Sequence, residues 1–290
     1  MPPFFPVHRR RSSGREGDAE ASAAEDRDIL NAFEHLRHAA NRELVEERVG
    51  GDILDKSASV PDSVLAEMKA YYRARAGEYD EWFERRGRFD QGPEANTRWF
   101  ADAAAAFAAL DALAMTGDQL ELAAGTGIWT KRLLTTATSV TAVDASPEMI
   151  EINRARVDDD RVDYVVADLF AWQPDRQYDG VCVAFWLSHV PAERLDPFFA
   201  MVAAALKPGG KLFFVDNGHR DQTSTAADQP LPTPETQVMT RCLNDGRTFQ
   251  VVKNFYEPAT LTAVCAKVGL DVTVHRTPTY FLYGVGTRQG

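Results

Sequence analysis

From residue 119 onward the chain alternates between short apolar runs and amphipathic stretches. The runs at 119–123, 140–143, 163–166, 180–185 and 211–215 are rich in Val, Leu, Ala and Phe and too short for helices, so they read as strands. Residues 128–137, 147–155 and 191–205 fill the gaps and read as helices. Strands alternating with helices at this spacing predict a parallel sheet covered on both faces. Two helices precede it. One starts at Pro61-Asp62-Ser63 and runs through Met68, Tyr71, Tyr72 and Arg75 towards Tyr79; the other runs from about Asn96 through the alanine-rich 100–113. After the alternating region, the polar, Pro-containing 218–235 reads as a loop. Residues 236–243 and 247–255 read as a hairpin around Asn244-Asp245-Gly246. A helix over 258–268 capped by Gly269 and strands at 271–276 and 279–286 close the pattern.

The first 60 residues differ. Residues 1–25 are rich in Pro, Arg, Ser, Gly, Ala and Glu and read as disordered. Residues 24–49 carry Ile29, Phe33, Leu36, Ala40 and Leu44 at helical spacing, ended by Gly50-Gly51; this helix is a candidate lid, homodimer contact or packing accessory. The chain therefore divides into an extension, 1–60, and a domain, 61–290. No apolar run reaches the roughly 18 residues of a membrane span. Cys182, Cys242 and Cys265 form neither a disulfide framework nor a zinc pattern, which favours a reducing, cytoplasmic setting. With 43 acidic against 32 basic residues, the net charge of −11 argues against nucleic acid as a partner but leaves room for a small anionic substrate. No His/Cys/Asp cluster has the spacing of metal ligands.

The densest signal is the run Leu120-Glu121-Leu122-Ala123-Ala124-Gly125-Thr126-Gly127-Ile128-Trp129-Thr130, a strand passing through a small-residue turn into a helix. Such a turn lets a cofactor approach the backbone, and the helix N-terminus supplies oriented amides. Asp144 ends the next strand, where an acid can accept both hydroxyls of a ribose. A turn plus an acid also fits dinucleotides, but Thr130 replaces the third glycine of that motif. Ala167-Asp168-Leu169-Phe170 places a carboxylate and an apolar pair after the third strand, and Lys207-Pro208-Gly209-Gly210 turns into the fifth.

This set, in this order, resembles the class I S-adenosylmethionine-dependent methyltransferases over about residues 61–290. The resemblance implies an α/β fold: a Rossmann-like, doubly wound, seven-stranded, mostly parallel sheet with an antiparallel last strand, N-terminal helices and a β-hairpin insertion. It implies S-adenosyl-L-methionine as cofactor, with Glu121, Ala123, Gly125, Gly127 and Trp129 along its methionine end. Asp144 and Ala145 would lie at the ribose, Met149, Leu169 and Phe170 at adenine, and Asp168 would accept from the adenine amino group. Phe185 would complete the wall, and Tyr72, Arg75 and Tyr79 would cover the cofactor, holding its carboxylate. One departure is Ala123, where the family's first loop glycine stands.

Residues 71–80, 125–130, 168–172, 174–177, 186–191, 241–249 and 252–253 further resemble phosphonate O-methyltransferases, which points to an anionic acceptor, phosphonate or carboxylate. In that resemblance the positions of Arg241 and Lys253 help bind the anion, and a tyrosine beyond the Tyr79-Asp80 pair aligns near Arg86. An ionised oxygen is already nucleophilic and needs positioning by cations rather than a base. A three-residue loop ending at Gly246 pairs Leu243 with Arg247 and places Arg241, Phe249, Val251 and Lys253 on one face; a two-residue loop would put Arg241 and Lys253 on opposite faces. His189 follows the fourth strand, where it would be the general base for a hydroxyl or amine acceptor, and only a hydrogen-bond donor for an anion. Trp186 would wall the pocket. The rival readings are an NAD(P)-dependent oxidoreductase and a non-catalytic cofactor-binding protein.

Overall fold

The computed structural model describes residues 59–218, 226, 229, 231–233 and 236–290. The segment expected to be disordered, the helix expected over 24–49 and much of the 218–235 loop lie outside the described residues. Helices α1 (Asp62–Arg75), α2 (Tyr79–Phe83) and α3 (Pro93–Leu113) come first. They are followed by β1 (Gly117–Leu122), α4 (Ile128–Leu133), β2 (Ala137–Asp144), α5 (Pro147–Val157) and β3 (Val162–Val166). Next come β4 (Tyr178–Ala184), α6 (Leu195–Ala205) and β5 (Leu206–Asn217). The hairpin of β6 (Val238–Cys242) and β7 (Thr248–Val252) precedes α7 (Pro258–Lys267), β8 (Leu270–Arg276) and β9 (Phe281–Arg288).

Seven strands form one sheet in the order β3-β2-β1-β4-β5-β9-β8. The first five pair in parallel, and β9 runs antiparallel to both β5 and β8. The strand period sends alternate residues into two cores. Leu120, Leu122, Val181, Val183, Leu212 and Phe214 pack on the α6 and α7 side; Val140, Ala142, Cys182, Phe213 and Val215 pack with Trp99, Ala103, Trp129 and Leu133 on the other. A third, smaller core joins Leu65, Met68 and Tyr71 of α1 to Met239, Leu243, Val251 and Val252 in and beside the hairpin.

Two helices are shorter than their periodicity predicts. α4 stops at Leu133 instead of reaching 137 because Thr135 and Thr136 turn their hydroxyls onto the carbonyls of Arg132 and Met115, each at 2.7 Å. α6 starts at Leu195 rather than 191, after a 3₁₀ turn over Ala192–Arg194. Pro197 has no N–H for the carbonyl of Glu193, so an α-turn cannot extend back through that position.

Candidate functional site

The glycine turn after β1 brings three residues into the left-handed region, with φ of +57° at Ala123, +53° at Gly125 and +91° at Gly127. Ala123 thus takes the backbone conformation for which glycine is the easier residue, at a cost of about 1 kcal/mol. Gly127 is obligatory for a second reason. A Cβ there would sit 2.6 Å from Asn153 Oδ1 and 2.8 Å from its Cγ. The Asn153 amide donates to the carbonyls of Ala124 (3.4 Å) and Gly125 (3.3 Å) and to Thr130 Oγ1 (2.9 Å), bracing the turn from α5. Asp80 braces it from above, accepting from the Thr126 hydroxyl at 2.6 Å and pairing with Arg156.

A cleft opens at the C-terminal ends of β1, β2 and β4, where ligands lie in doubly wound sheets. Of the residues expected at the cofactor, Tyr72, Tyr79, Ala123, Gly125, Asp144, Ala145, Met149, Asp168, Leu169 and Phe185 line it, joined by Trp186 and His189. Asp144 is held by backbone amides: Oδ2 accepts from Gly125 N at 2.9 Å and Oδ1 from Ser146 N at 2.8 Å. Burial pushes its pKa up, and these amides oppose the rise. Asp168 accepts from Phe170 N at 3.0 Å and pairs with Lys69 at 2.7 Å. Phe185 is itself left-handed, at φ +55°.

Five of the expected cofactor residues are not on the cleft wall. Glu121 points away from the Leu120 and Leu122 face, opposite Ala142 and Cys182 in the sheet and beneath α4, with Oε2 buried and unpartnered. Burial pushes its pKa up to about 8, opposed by a hydrogen bond from Thr130. Trp129 belongs to the core, 4.5 Å between ring centroids from Phe107. Gly127 is filled by Asn153, and Phe170 packs on Trp186 at 5.3 Å. Arg75 stands behind Tyr72, its guanidinium over the rings of Tyr71, Tyr79 and Phe89 at 5.6, 5.1 and 5.4 Å. Met68, Lys69, Ser146 and Ala184 line the cleft with no signal in the sequence, and Asn153, buried beneath the turn, braces it with none either. Lys69 is one charge among several on a helix, and only the fold brings it to Asp168.

The hairpin turn has the register of a three-residue loop. Leu243 N donates to Arg247 O at 2.9 Å, Arg241 pairs with Phe249, and Gly246 sits at φ +88°. Lys253 N donates to Gln237 O at 2.8 Å, continuing the ladder one residue past β7. Arg241 and Lys253 therefore share a face, and it is turned inward: they are 8% and 3% exposed. Arg241 donates to the neutral Gln229 at 2.8 Å, and Lys253 Nζ to Ser188 Oγ at 3.0 Å, with Asp216 Oδ1 3.9 Å away. Burial lowers the Lys253 pKa to about 8, with Asp216 opposing and Arg241 and Arg75 adding to the shift. Arg86, expected beside this pair, is instead exposed and bound to Glu84 at 2.6 Å. A left-handed turn at Arg85 and Gly87 directs it outward, and Arg88 reaches the hairpin instead, donating to Cys242 O at 3.0 Å.

His189 is buried and lines the cleft. Its Nδ1 lies 2.7 Å from the carbonyl of Val252, which can only accept, and its Nε2 lies 2.7 Å from the Tyr72 hydroxyl. Burial, then the Lys253 charge, push its pKa well below the usual range, so the ring is neutral at pH 7. Trp186 lies beside it with a buried indole N–H that has no partner. Among the described residues no group of three His, Cys, Asp or Glu side chains could hold a metal ion, and no helix is long and apolar enough to cross a membrane.

A family model described as "Methyltransferase domain" matches residues 120–210. The ubiquinone biosynthesis O-methyltransferase of Xanthomonas euvesicatoria pv. vesicatoria (strain 85-10) is 32% identical over 160 residues, covering 53% of this chain and 62% of that protein. The demethylmenaquinone methyltransferase of Clavibacter sepedonicus is 38% identical over 97 residues, covering 32% and 38%. The chain thus spans less than two thirds of the length of these curated relatives. Two solved structures of DhpI, one a complex with SAH and the other with SAM and HEP, align at 36% identity and a TM-score of 0.65, covering 79% of this chain and 99% of DhpI.

Proposed function

The chain belongs to the class I S-adenosylmethionine-dependent methyltransferases, and within that family we propose that it methylates an oxygen of a small anionic acceptor, phosphonate ahead of carboxylate. The observation that carries this reading is the pair Arg241 and Lys253, both buried on the inner hairpin face, with Asp216, 3.9 Å from Lys253, as the counter-charge among the described residues. Buried cations are retained only where an anion or a dense set of acceptors meets them. Arg241 and Lys253 do not themselves line the cleft but act on His189, which does, and Trp186 adds an unpartnered N–H to the cleft wall.

The cofactor fits the residues present. The backbone at Gly125 is open, since a Cβ there would meet nothing nearer than 4.0 Å. Asp144 stands at the end of β2 for a ribose, and buried Met149 and Leu169 offer apolar faces for adenine. When bound, S-adenosylmethionine supplies a methyl group on a sulfonium, which leaves as a neutral thioether. The chain's own part is to hold the acceptor in line. Arg241 and Lys253 fix two of its oxygens, the aromatic walls Trp186 and Phe185 exclude water, and the remaining oxygen faces the methyl. No proton need be removed from an acceptor already ionised at neutral pH. The neutral-acceptor reading requires His189 as base, and its Nε2 lone pair is already engaged by Tyr72.

The test is a screen of phosphonates, carboxylates, phenols and amines with methyl-labelled cofactor, read by mass spectrometry, followed by Arg241→Ala and Lys253→Ala on the best acceptor. Each substitution is expected to lower kcat/KM for the acceptor by about 10²-fold, the scale of losing one buried charged partner. Unchanged efficiency in both variants would overturn the anion reading.

A further inference from the structure

Every polar atom of the His189 ring is accounted for by the chain itself. The Val252 carbonyl at 2.7 Å obliges Nδ1 to carry the proton. The neutral ring then leaves a bare lone pair on Nε2, and the Tyr72 hydroxyl at 2.7 Å must donate to it. The phenol proton is thereby committed, and the Tyr72 oxygen can only accept from anything in the cleft it lines. Its edge-on packing against the His189 ring, 5.2 Å between centroids, and against Tyr71 at 5.0 Å holds the ring in place.

One turn further along α1, on the same helix face, Arg75 presents the complementary feature. Its guanidinium is 7% exposed and lies just behind the cleft wall, over Tyr79, which lines the cleft, and over Tyr71 and Phe89; Glu78 acts on it at longer range, and among the described residues no ion pair or hydrogen bond holds it. A fixed acceptor and an unpaired cation, three residues apart, match the two charged groups of an amino-acid zwitterion: the ammonium donates to the first and the carboxylate pairs with the second. The cofactor of this family carries such a group at its methionine end.

We infer that His189 is a positioning residue for the cofactor, acting through Tyr72: it holds the phenol oxygen as an acceptor for the cofactor's α-ammonium while Arg75 takes the carboxylate. This rests on the assignment of S-adenosylmethionine as cofactor and on an acceptor that needs no base. The histidine contributes no proton transfer. Protonating it would add a charge beside Lys253, Arg241 and Arg75, with Asp216 as the near carboxylate.

The experiment uses the full chain and calorimetric binding of S-adenosylhomocysteine, which needs no acceptor. Tyr72→Phe and His189→Asn are each expected to weaken binding about 5- to 10-fold, and the double variant no further, because both remove the same hydrogen bond. His189→Gln, whose longer side chain carries its amide out to where Nε2 stands, is expected to recover part of the loss. An analogue of S-adenosylhomocysteine lacking the amino group is expected to bind the wild type and all four variants equally. Methyl-transfer assays would show KM for the cofactor rising while KM for the acceptor holds. Additive losses, an equal loss with the amine-free analogue, or a rise in acceptor KM alone would each overturn the proposal. Should His189→Asn unfold the chain, Tyr72→Phe with the analogue pair still decides, since a Phe ring keeps the packing and removes the oxygen alone. The binding arms use no acceptor, so failure of the anionic-acceptor reading would leave them standing and the two proposals fail separately.

Discussion

Replacing Glu121 by Gln should make the chain more stable at pH 7 than at pH 5 relative to the wild type. Glu121 is 1% exposed, beneath α4, with one carboxyl oxygen lacking any partner. Burial lifts its pKa from 4.5 to about 8 in the folded chain. Because the folded pKa is raised, the native state holds this proton where the unfolded state has lost it, so stability falls as pH rises from about 4.5 to 8 and is constant beyond. Integrating the two titrations, the group costs about 0.8 kcal/mol at pH 5 and about 3.3 kcal/mol at pH 7. The glutamine amide does not titrate, so the variant should gain about 2.5 kcal/mol on the wild type between the two pH values. At roughly 2–4 °C per kcal/mol for a domain of this size, the difference in Tm should widen by about 5–10 °C. Any fixed penalty of the amide cancels in that comparison. The assay is thermal unfolding of both proteins, without cofactor, at pH 5 and pH 7. A Tm difference constant to within about 1 °C would refute the reasoning, since it would mean the carboxyl group does not titrate between these values.

Four further outcomes are expected. With the Lys253 pKa near 8, kcat/KM for an anionic acceptor should fall about tenfold per unit above pH 8, and Lys253→Arg should flatten that limb; a profile without the limb would show the ammonium is not needed. Gly127→Ala forces a Cβ to 2.6 Å from Asn153 at φ +91° and should cost about 2–3 kcal/mol, read as a Tm loss of about 4–12 °C. Gly125→Ala adds its methyl to open cleft, so it should weaken S-adenosylhomocysteine binding more than it lowers Tm. In Ala123→Gly, relief of the left-handed strain is set against a more flexible unfolded chain, so calorimetry should find the stability changed by less than about 1 kcal/mol.

Contiguous stretches of this chain determined a good deal by themselves. The two-residue and 3.6-residue periods, the glycine turn and the acid after the second strand act through neighbouring residues, and they were enough for the sheet, its helices and the turn from Ala123 to Gly127. The Gly246 turn belongs with them, because its geometry alone sets which residues pair across the hairpin and so puts Arg241 and Lys253 on one face.

Which way that face points is not a local property. It is decided by the packing of α1 on the hairpin through Leu65, Met68 and Tyr71, which turns both cations inward. The same holds for the residues that moved. Arg86 reads like Arg88 in sequence, yet a left-handed turn exposes the first and carries the second to Cys242. Strand alternation sets Glu121 opposite Leu120 and Leu122, but only the layering of the helices shows that its side lies under α4 rather than on the cleft. His189 by its position alone could serve as a base or as a hydrogen-bond donor; Tyr72, 117 residues away, engages its Nε2. Local backbone preference and hydrophobic period are written into short segments. The charge balance and proton positions of the site depend on groups brought together from α1, β4, β5 and the hairpin, and the tertiary structure alone decides them.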